Sequence, residues 1–393
     1  MPGFSIAYFS MEVGLESDLP TYSGGLGVLA GDTLRAAADF GLSMVGISLV
    51  HRNGYFRQRL DSSGNQVESP APWDPSARLE STSVRAAVRL RGRPVQIRAW
   101  RYRLTGLTGR KVPVYLLDTD LPENDPADRT LTDHLYGGDA AYRLSQEVIL
   151  GIGGLAVLRA LGHAKETTLY HMNEGHSALL TLALVEEEAG TTGPAAVSDA
   201  TREAVRKRCV FTTHTPVPAG HDQFHGDLVR DILGPDRTAL LEAGHCCLAG
   251  TLNMTNLALV HSHYVNGVGL RHEQISRDMF PGYPINSVTN GVHAVTWATK
   301  PVQALFDRHI PEWRLDNLYL RYAMFLSPAE ILQAHMECKR ELLSEVERRI
   351  QVKLDPKALT LGFARRATPY KRPDLLFTDL ERLRRIAQRV GPL

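Results

Sequence analysis

Along most of this chain, short apolar runs alternate with longer stretches whose apolar positions recur at helical spacing. Phe4 to Met11 and Met44 to Val50 are nearly continuous in apolar residues, which predicts strands buried on both faces. Between them, Gly24-Gly25-Leu26-Gly27 predicts a tight turn, and Val28 to Phe40 predicts a helix stopped by Gly41. That is a βαβ unit. Val84 to Leu117 alternates apolar and polar residues with Gly punctuation, predicting an antiparallel excursion, and Pro122 to Asp139 reads as a long polar loop. Tyr142 to Leu161 predicts a helix; strands are then predicted at Thr167–Met172, Cys209–Thr213, Leu257–His261 and Asn286–Thr289. The expected fold class is α/β, a doubly wound, mainly parallel Rossmann-like sheet.

From Ser327 the sequence Ser327-Pro328-Ala329-Glu330 predicts a capping box opening an amphipathic helix, which Asp355-Pro356 ends. Leu359 to Phe363 then reads as a strand, followed by a cationic turn and a helix from Pro373 to Arg389. One strand and one helix cannot bury a core. The expectation is therefore an N-terminal Rossmann-like cleft domain over residues 1–356 and, over 357–393, only the opening βα unit of a second domain.

Composition narrows the partners more than the fold. The 393 residues are 43% hydrophobic and 22% charged, and 44 Lys and Arg against 43 Asp and Glu leave a net charge of +1. No global field favours nucleic acid or an anionic membrane. The tail is an exception: Lys357, Arg365, Arg366, Lys371, Arg372, Arg382, Arg384, Arg385 and Arg389 face only Asp374, Asp379 and Glu381. Cys209, Cys246, Cys247 and Cys338 have no metal-ligand spacing and make a poor disulfide framework, which fits a reducing compartment. Without a leader-like start or an apolar run long enough for a membrane span, the expected location is cytoplasmic.

The candidate chemistry lies where strands end. Nearly every predicted parallel strand runs into Gly, Asn, His or Arg: Ser23 to Gly27, Asn173-Glu174-Gly175-His176, His214-Thr215-Pro216, Ser262-His263 with Asn266-Gly267, Asn290-Gly291-Val292-His293, and Arg365-Arg366. In a doubly wound sheet these ends converge on one crevice. A Gly-rich strand-to-helix turn can present backbone N–H groups to an anion, although Gly-Gly-x-Gly matches neither a dinucleotide fingerprint nor a phosphate loop ending in Lys-Ser/Thr. Taken alone, the turn serves equally as close packing, His214 reads as a satisfied core histidine, and Asn173 reads as a cap for the helix starting near Ser177. His261, His263, His272, His221 and His225 show no metal-binding pattern, and no metal is expected. Arg365, Arg366, Lys371 and Arg372 suit a phosphate, with forked and point-charge donors side by side.

Taken together, the motifs resemble the α-glucan phosphorylases (glycogen, starch and maltodextrin phosphorylases), especially their short bacterial type. The matching segments run in family order: Ala7–Glu12, Tyr22–Asp32, His51–Leu60, His171–Leu180, Val210–Asp222, Tyr264–Ser276, Val288–Trp297 and Gly362–Arg372. The resemblance implies two Rossmann-like domains facing a cleft. It further implies phosphorolysis, in which orthophosphate takes the non-reducing terminal glucosyl unit of an α-1,4-glucan as α-glucose 1-phosphate with retention. Pyridoxal phosphate is the implied cofactor, its phosphate working as proton relay. By position, Gly25 and Leu26 would face the reacting phosphate and sugar, and His214 and Asn266 would hydrogen-bond the glucosyl unit. Tyr370 would touch that unit from the opposite wall, and Arg366 and Lys371 would bind the substrate phosphate. Asn173, Glu174, His176 and Asn290 would line the cleft.

Val28 and Thr368 stand where longer relatives carry Arg and His, and the regulatory extension of the animal enzymes has no counterpart before Phe4. The lysine that forms the Schiff base belongs to a segment this chain does not contain, so the expectation is an incomplete, inactive fragment. A nucleotide-sugar glycosyltransferase of the glycogen or starch synthase type is the competing enzyme reading, weakened because Tyr22-Ser23-Gly24-Gly25-Leu26 lacks the Lys-x-Gly-Gly-Leu lysine. A non-catalytic glucan-binding fragment is the third. Orthophosphate and α-1,4-glucan are the expected partners; a homo-oligomer stays open.

Overall fold

A computed structural model describes residues 5–163, 167–190, 197–244, 247–248, 250–365 and 371–391. The chain forms two compact units, Met1–His293 and Ala294–Leu393.

The first unit is built on a nine-stranded sheet. In chain order the strands are β1 (Ser5–Ser10), β2 (Met44–Leu49), β3 (Arg57–Leu60), β4 (Gln66–Ser69), β5 (Glu80–Leu90), β6 (Arg93–Thr105), β7 (Lys111–Asp118), β8 (Thr167–Asn173), β9 (Cys209–Thr212), β10 (Gln223–His225), β11 (Cys247–Leu248), β12 (Thr251–Asn253), β13 (Tyr264–Gly267) and β14 (Ile285–Ser287). The large sheet runs β14-β13-β9-β8-β1-β2-β7-β6-β5. The six pairings from β14 to β7 are parallel, and β6 and β5 extend the edge antiparallel. Thus the predicted antiparallel excursion is present, and its last strand rejoins the parallel set.

Alternate residues of β1 enter different cores. Tyr8 packs with Leu34 and Ala38 of the helix Gly25–Asp39 and with Val114 and Leu116 of β7. Ala7 and Phe9 pack on the other face with Leu144, Val148 and Leu155 and with Leu179 to Val185. This period of two on a sheet covered on both sides is the doubly wound arrangement.

The chain winds outward from β1 in two directions, to β2 and β7 on one side and to β8, β9, β13 and β14 on the other. The order reverses between β1 and β8, so the crevice falls at their carboxyl ends.

Several local expectations fail for identifiable reasons. Leu257–His261 is not a strand: Met254–Val260 is a helix, its N-terminus capped by Asn253 Oδ1 accepting from Asn256 N. A short apolar run cannot by itself distinguish a buried helix from a buried strand, and the cap decides it. Tyr142–Leu161 is helical but interrupted by a π segment at Ile149–Gly153. The polar loop holds a short helix, Pro126–Arg129.

In the second unit, Ser327 caps the helix Pro328–Ile350 by position only, its side chain making no capping bond. Glu330, needed for the reciprocal bond, instead accepts from His309 Nε2 at 2.9 Å. Leu359–Phe363 forms no strand; Leu359, Leu361 and Phe363 are each more than half exposed, and no described strand runs alongside to complete a ladder. The Pro373–Arg389 helix is in fact a 3-10 turn, Leu375–Phe377, and a helix, Leu380–Val390, started by Asp379 accepting from Arg382 N. Leu305, Ile310, Trp313, Leu326 and Ala334 form this unit's small core. Among the described residues no helix is long and apolar enough to cross a membrane.

Candidate functional site

Register places a row of polar residues across the strand ends. Ser10 of β1 pairs with Asn173 of β8, Asn173 with Thr212 of β9, and Thr212 with Asn266 of β13. Side chains tie the row together: Asn173 Nδ2 donates to Ser10 Oγ at 3.0 Å and Thr212 Oγ1 to Asn266 Oδ1 at 2.9 Å. His171 Nε2 lies 2.8 Å from Thr212 Oγ1 and is held neutral by burial, with His214 adding to the effect; its pKa falls to about 4.

His214, just past β9, is fixed on two sides. Its Nε2 lies 2.6 Å from Asn173 Oδ1 and its backbone N–H donates to Glu174 Oε2 at 2.8 Å. An amide oxygen can only accept, so Nε2 carries the proton and a neutral His214 keeps Nδ1 as acceptor. Burial lowers the His214 pKa, against the attraction of Glu174. Asn173 is therefore not a helix cap, as its position alone suggests. Glu174 takes that place, accepting from Gly175 N at 3.1 Å.

Glu174 sits at φ 72°, the left-handed region, which costs a residue with a Cβ about 1 to 3 kcal/mol. The conformation turns its buried carboxylate onto three donors, Thr215 Oγ1 at 3.0 Å being the third. Burial raises its pKa, but His214 and His176 outweigh it, so Glu174 stays ionised below the usual carboxylate range.

The Gly-rich segment is a helix start, not a free turn. Gly24 precedes the helix that begins at Gly25. Buried Glu12 pins it: Oε2 accepts from Ser23 N at 2.6 Å and Gly24 N at 3.2 Å, and Oε1 from Tyr136 OH at 2.9 Å. The glycines divide by role. A Cβ on Gly27 would fall 2.5 Å from Tyr22 Cβ, so that glycine packs; a Cβ on Gly24 or Gly25 would meet nothing within 4 Å. The backbone there is open for a close ligand, and the first N–H groups of the helix have no intrahelical acceptor.

The geometry brings Gly25, Leu26, Asn173, Glu174, His176, His214, Asn266 and Asn290 to the carboxyl ends of neighbouring strands or the turns after them; Asn290 N donates to Val268 O at 3.2 Å beyond β13 and β14. Arg366 and Tyr370 lie outside the described residues. Lys371 is half-buried in the second unit, where it lines a cavity of about 730 Å³ with Arg372, Phe363 and Leu376. Sequence reasoning missed Glu12, Tyr136, Arg143 and Asp222. Each lies in or beside a polar cluster, but its partner is tens of residues away.

No family model matches the chain. Among curated proteins it is 35% identical to a maltodextrin phosphorylase of Thermococcus litoralis and 35% identical to a glycogen phosphorylase of Mycobacterium tuberculosis, over 97% of this chain and 49% of each relative. It is 31% identical to a glycogen phosphorylase of Aquifex aeolicus over 97% of this chain and 60% of that protein. The chain spans about half the length of the first curated relatives it matches.

Proposed function

Since the chain belongs to the α-glucan phosphorylase family, we propose that it forms one wall of a site where orthophosphate displaces the terminal α-1,4-glucosyl unit of a glucan, giving α-glucose 1-phosphate. The observation that carries the reading is the hydrogen-bonded row Ser10, Asn173, Thr212 and Asn266 beside His214, next to a helix start whose Gly24 and Gly25 leave space. His214 and Asn266 are the donors and acceptors a sugar hydroxyl needs. Gly25 and Leu26 present backbone N–H groups to the negative charge of a reacting phosphate. Fixed dipoles of this kind cost no reorganisation when charge develops, and they act strongly where water is excluded.

Arg366 and Lys371 are proposed as the phosphate clamp and Tyr370 as a sugar contact. Residues 357–393 are proposed as the opening of a cofactor-bearing domain. A cytoplasmic setting goes with the reading.

Pyridoxal phosphate would supply an acid–base phosphate beside the substrate phosphate. The first unit offers no covalent anchor for it among its described residues. Lys111 opens β7 and Lys207 precedes β9, so both lie at the amino ends of parallel strands, away from the crevice. The chain's own contribution is binding and orientation. His214 is kept neutral with its proton on Nε2, Glu174 fixes the turn, and the Gly-rich backbone meets the anion.

Phosphorolysis of maltoheptaose, with pyridoxal phosphate added, tests the reading in a protein carrying this chain at the full length of its relatives. Glucose 1-phosphate should form, and Lys371→Ala should weaken transition-state binding by about 2 to 4 kcal/mol. Absence of phosphorolysis together with glucosyl transfer from a nucleotide sugar would favour the synthase reading.

A further inference from the structure

Beside the crevice, three chain segments bring together a buried ionic cluster that the phosphorolytic reading does not use. Glu147 lies near the end of the helix Ala140–Val148, just before the π segment, and Arg143 one turn earlier. Asp222 precedes β10, and His176 belongs to the turn Gly175–Ser177 after β8. Arg143 Nη2 donates to Asp222 Oδ1; His176 Nε2 stands 3.3 Å from Asp222 Oδ2, at ion-pair distance but off hydrogen-bond geometry.

Among the described residues, three carboxyl oxygens of the cluster lack a donor. Both carboxyl oxygens of Glu147 and Oδ2 of Asp222 are shut off from solvent, and among the described residues no N–H or O–H serves them. Arg143 and Glu147 are one turn apart on the same helix, so the Asp222 carboxylate that Arg143 holds and the Glu147 carboxyl face one buried cluster, and each shifts the other's proton affinity. Two ionised carboxylates in one buried cluster repel each other; a single proton shared between them turns the repulsion into a hydrogen bond.

We propose that Glu147 is held as a neutral acid that donates its proton to Asp222, leaving Asp222 to carry the one negative charge that seats Arg143 and His176 beside the crevice. Glu147 is thus a positioning residue acting through Asp222. The inference rests on the geometry of the first unit and does not depend on the phosphorylase reading.

The surrounding charges agree. Arg143, joined by His176 whenever that ring holds a second proton, balances Asp222 and Glu174; Tyr136, whose ring is 5.6 Å from His176, adds no charge because burial and Glu12 push its hydroxyl far above the ordinary range. Burial, with His214 and His221 likewise disfavoured as cations, keeps those two rings neutral. An ionised Glu147 would be a further buried anion without a cation. Burial first and Asp222 second drive its pKa well above the usual carboxylate range, while His176 and Arg143 overcome burial to hold Asp222 far below it. Burial opposes the His176 imidazolium, but Asp222 and Glu174 outweigh it and raise its pKa.

The test uses the 393-residue chain, with its Glu side-chain carboxyls labelled with carbon-13 and its histidine rings followed by NMR across pH. The Glu147 resonance, assigned by its loss in Glu147→Gln, should remain that of a protonated carboxyl at neutral pH. Because that substitution replaces one neutral group by another, the His176 midpoint should stay where it is. If Glu147 were ionised, the same substitution would remove a negative charge from the cluster and lower the His176 midpoint. Such a fall overturns the proposal. Should the Gln variant not fold, infrared spectra of the unsubstituted chain decide. Carboxyl-proton absorption from a buried acid at neutral pH, lost in Glu147→Asp if the shorter acid reaches water, supports it; a Glu147 carboxyl titrating in the ordinary range in the unsubstituted chain overturns it.

Discussion

Asn173 Oδ1 lies 2.6 Å from Nε2 of His214, joining the end of β8 to the segment that leaves β9. The same amide donates to Ser10 Oγ on β1, so one buried side chain coordinates three strand ends. Asn173→Ala removes both bonds and strands a partner at each end. The expected cost is about 1 to 3 kcal/mol. A urea titration should show the midpoint falling, and His214 should take up protons differently, read from its ring signals against pH. An unchanged His214 titration would show that Asn173 does not set its proton.

The two kinds of glycine in the loop after β1 should separate in mutants. Gly27→Ala forces a methyl against Tyr22 and Glu12, which should cost about 1 to 3 kcal/mol and lower the melting temperature. Gly25→Ala meets open space, so the melting temperature should hold while maltoheptaose or phosphate binding weakens, as calorimetry would show. Equal destabilisation by both would mean that Gly25 serves packing.

Glu12→Gln should loosen the same loop by another route. It puts an amide donor where an oxygen now accepts from Ser23 N and Gly24 N, or from Tyr136 OH. The loss expected for hydrogen bonds to a charged group is about 1.5 to 3 kcal/mol. Faster amide exchange at Ser23 and Gly24 is the local readout, and unaltered exchange there would contradict the pinning role.

Acid should weaken the first unit before its carboxylates titrate. Burial is the chief cause that lowers His51 and His171 to about 4, against an ordinary 6.5. Folded pKa values below unfolded ones mean that the unfolded chain binds protons first, so stability is full above the unfolded value and is lost as pH falls from about 6.5 towards 4. Near pH 5 each histidine should cost about 2 kcal/mol. Urea midpoints at pH 7 and pH 5 check this, and His171→Gln should flatten the dependence.

Local order in the sequence was enough for the alternation of strands and helices, the antiparallel excursion and the placing of Asn173, His214 and the Gly-rich segment at or after strand ends; Asn266 instead lies within β13, a strand that the sequence pattern puts at Leu257–His261. Such patterns are written in neighbouring residues, because side-chain period and turn chemistry act over a few positions. What tertiary structure decided was register and pairing. Leu359–Phe363 stays unpaired because a strand is stable only against a neighbour. Glu12 reaches Gly24, Glu174 reaches His214, and Arg143 meets Asp222 across separations that no periodicity records. Burial then sets their protons: the same carboxyl chemistry leaves Glu174 ionised beside two histidines and drives Glu147 towards the neutral acid beside Asp222, a difference of environment that composition cannot express.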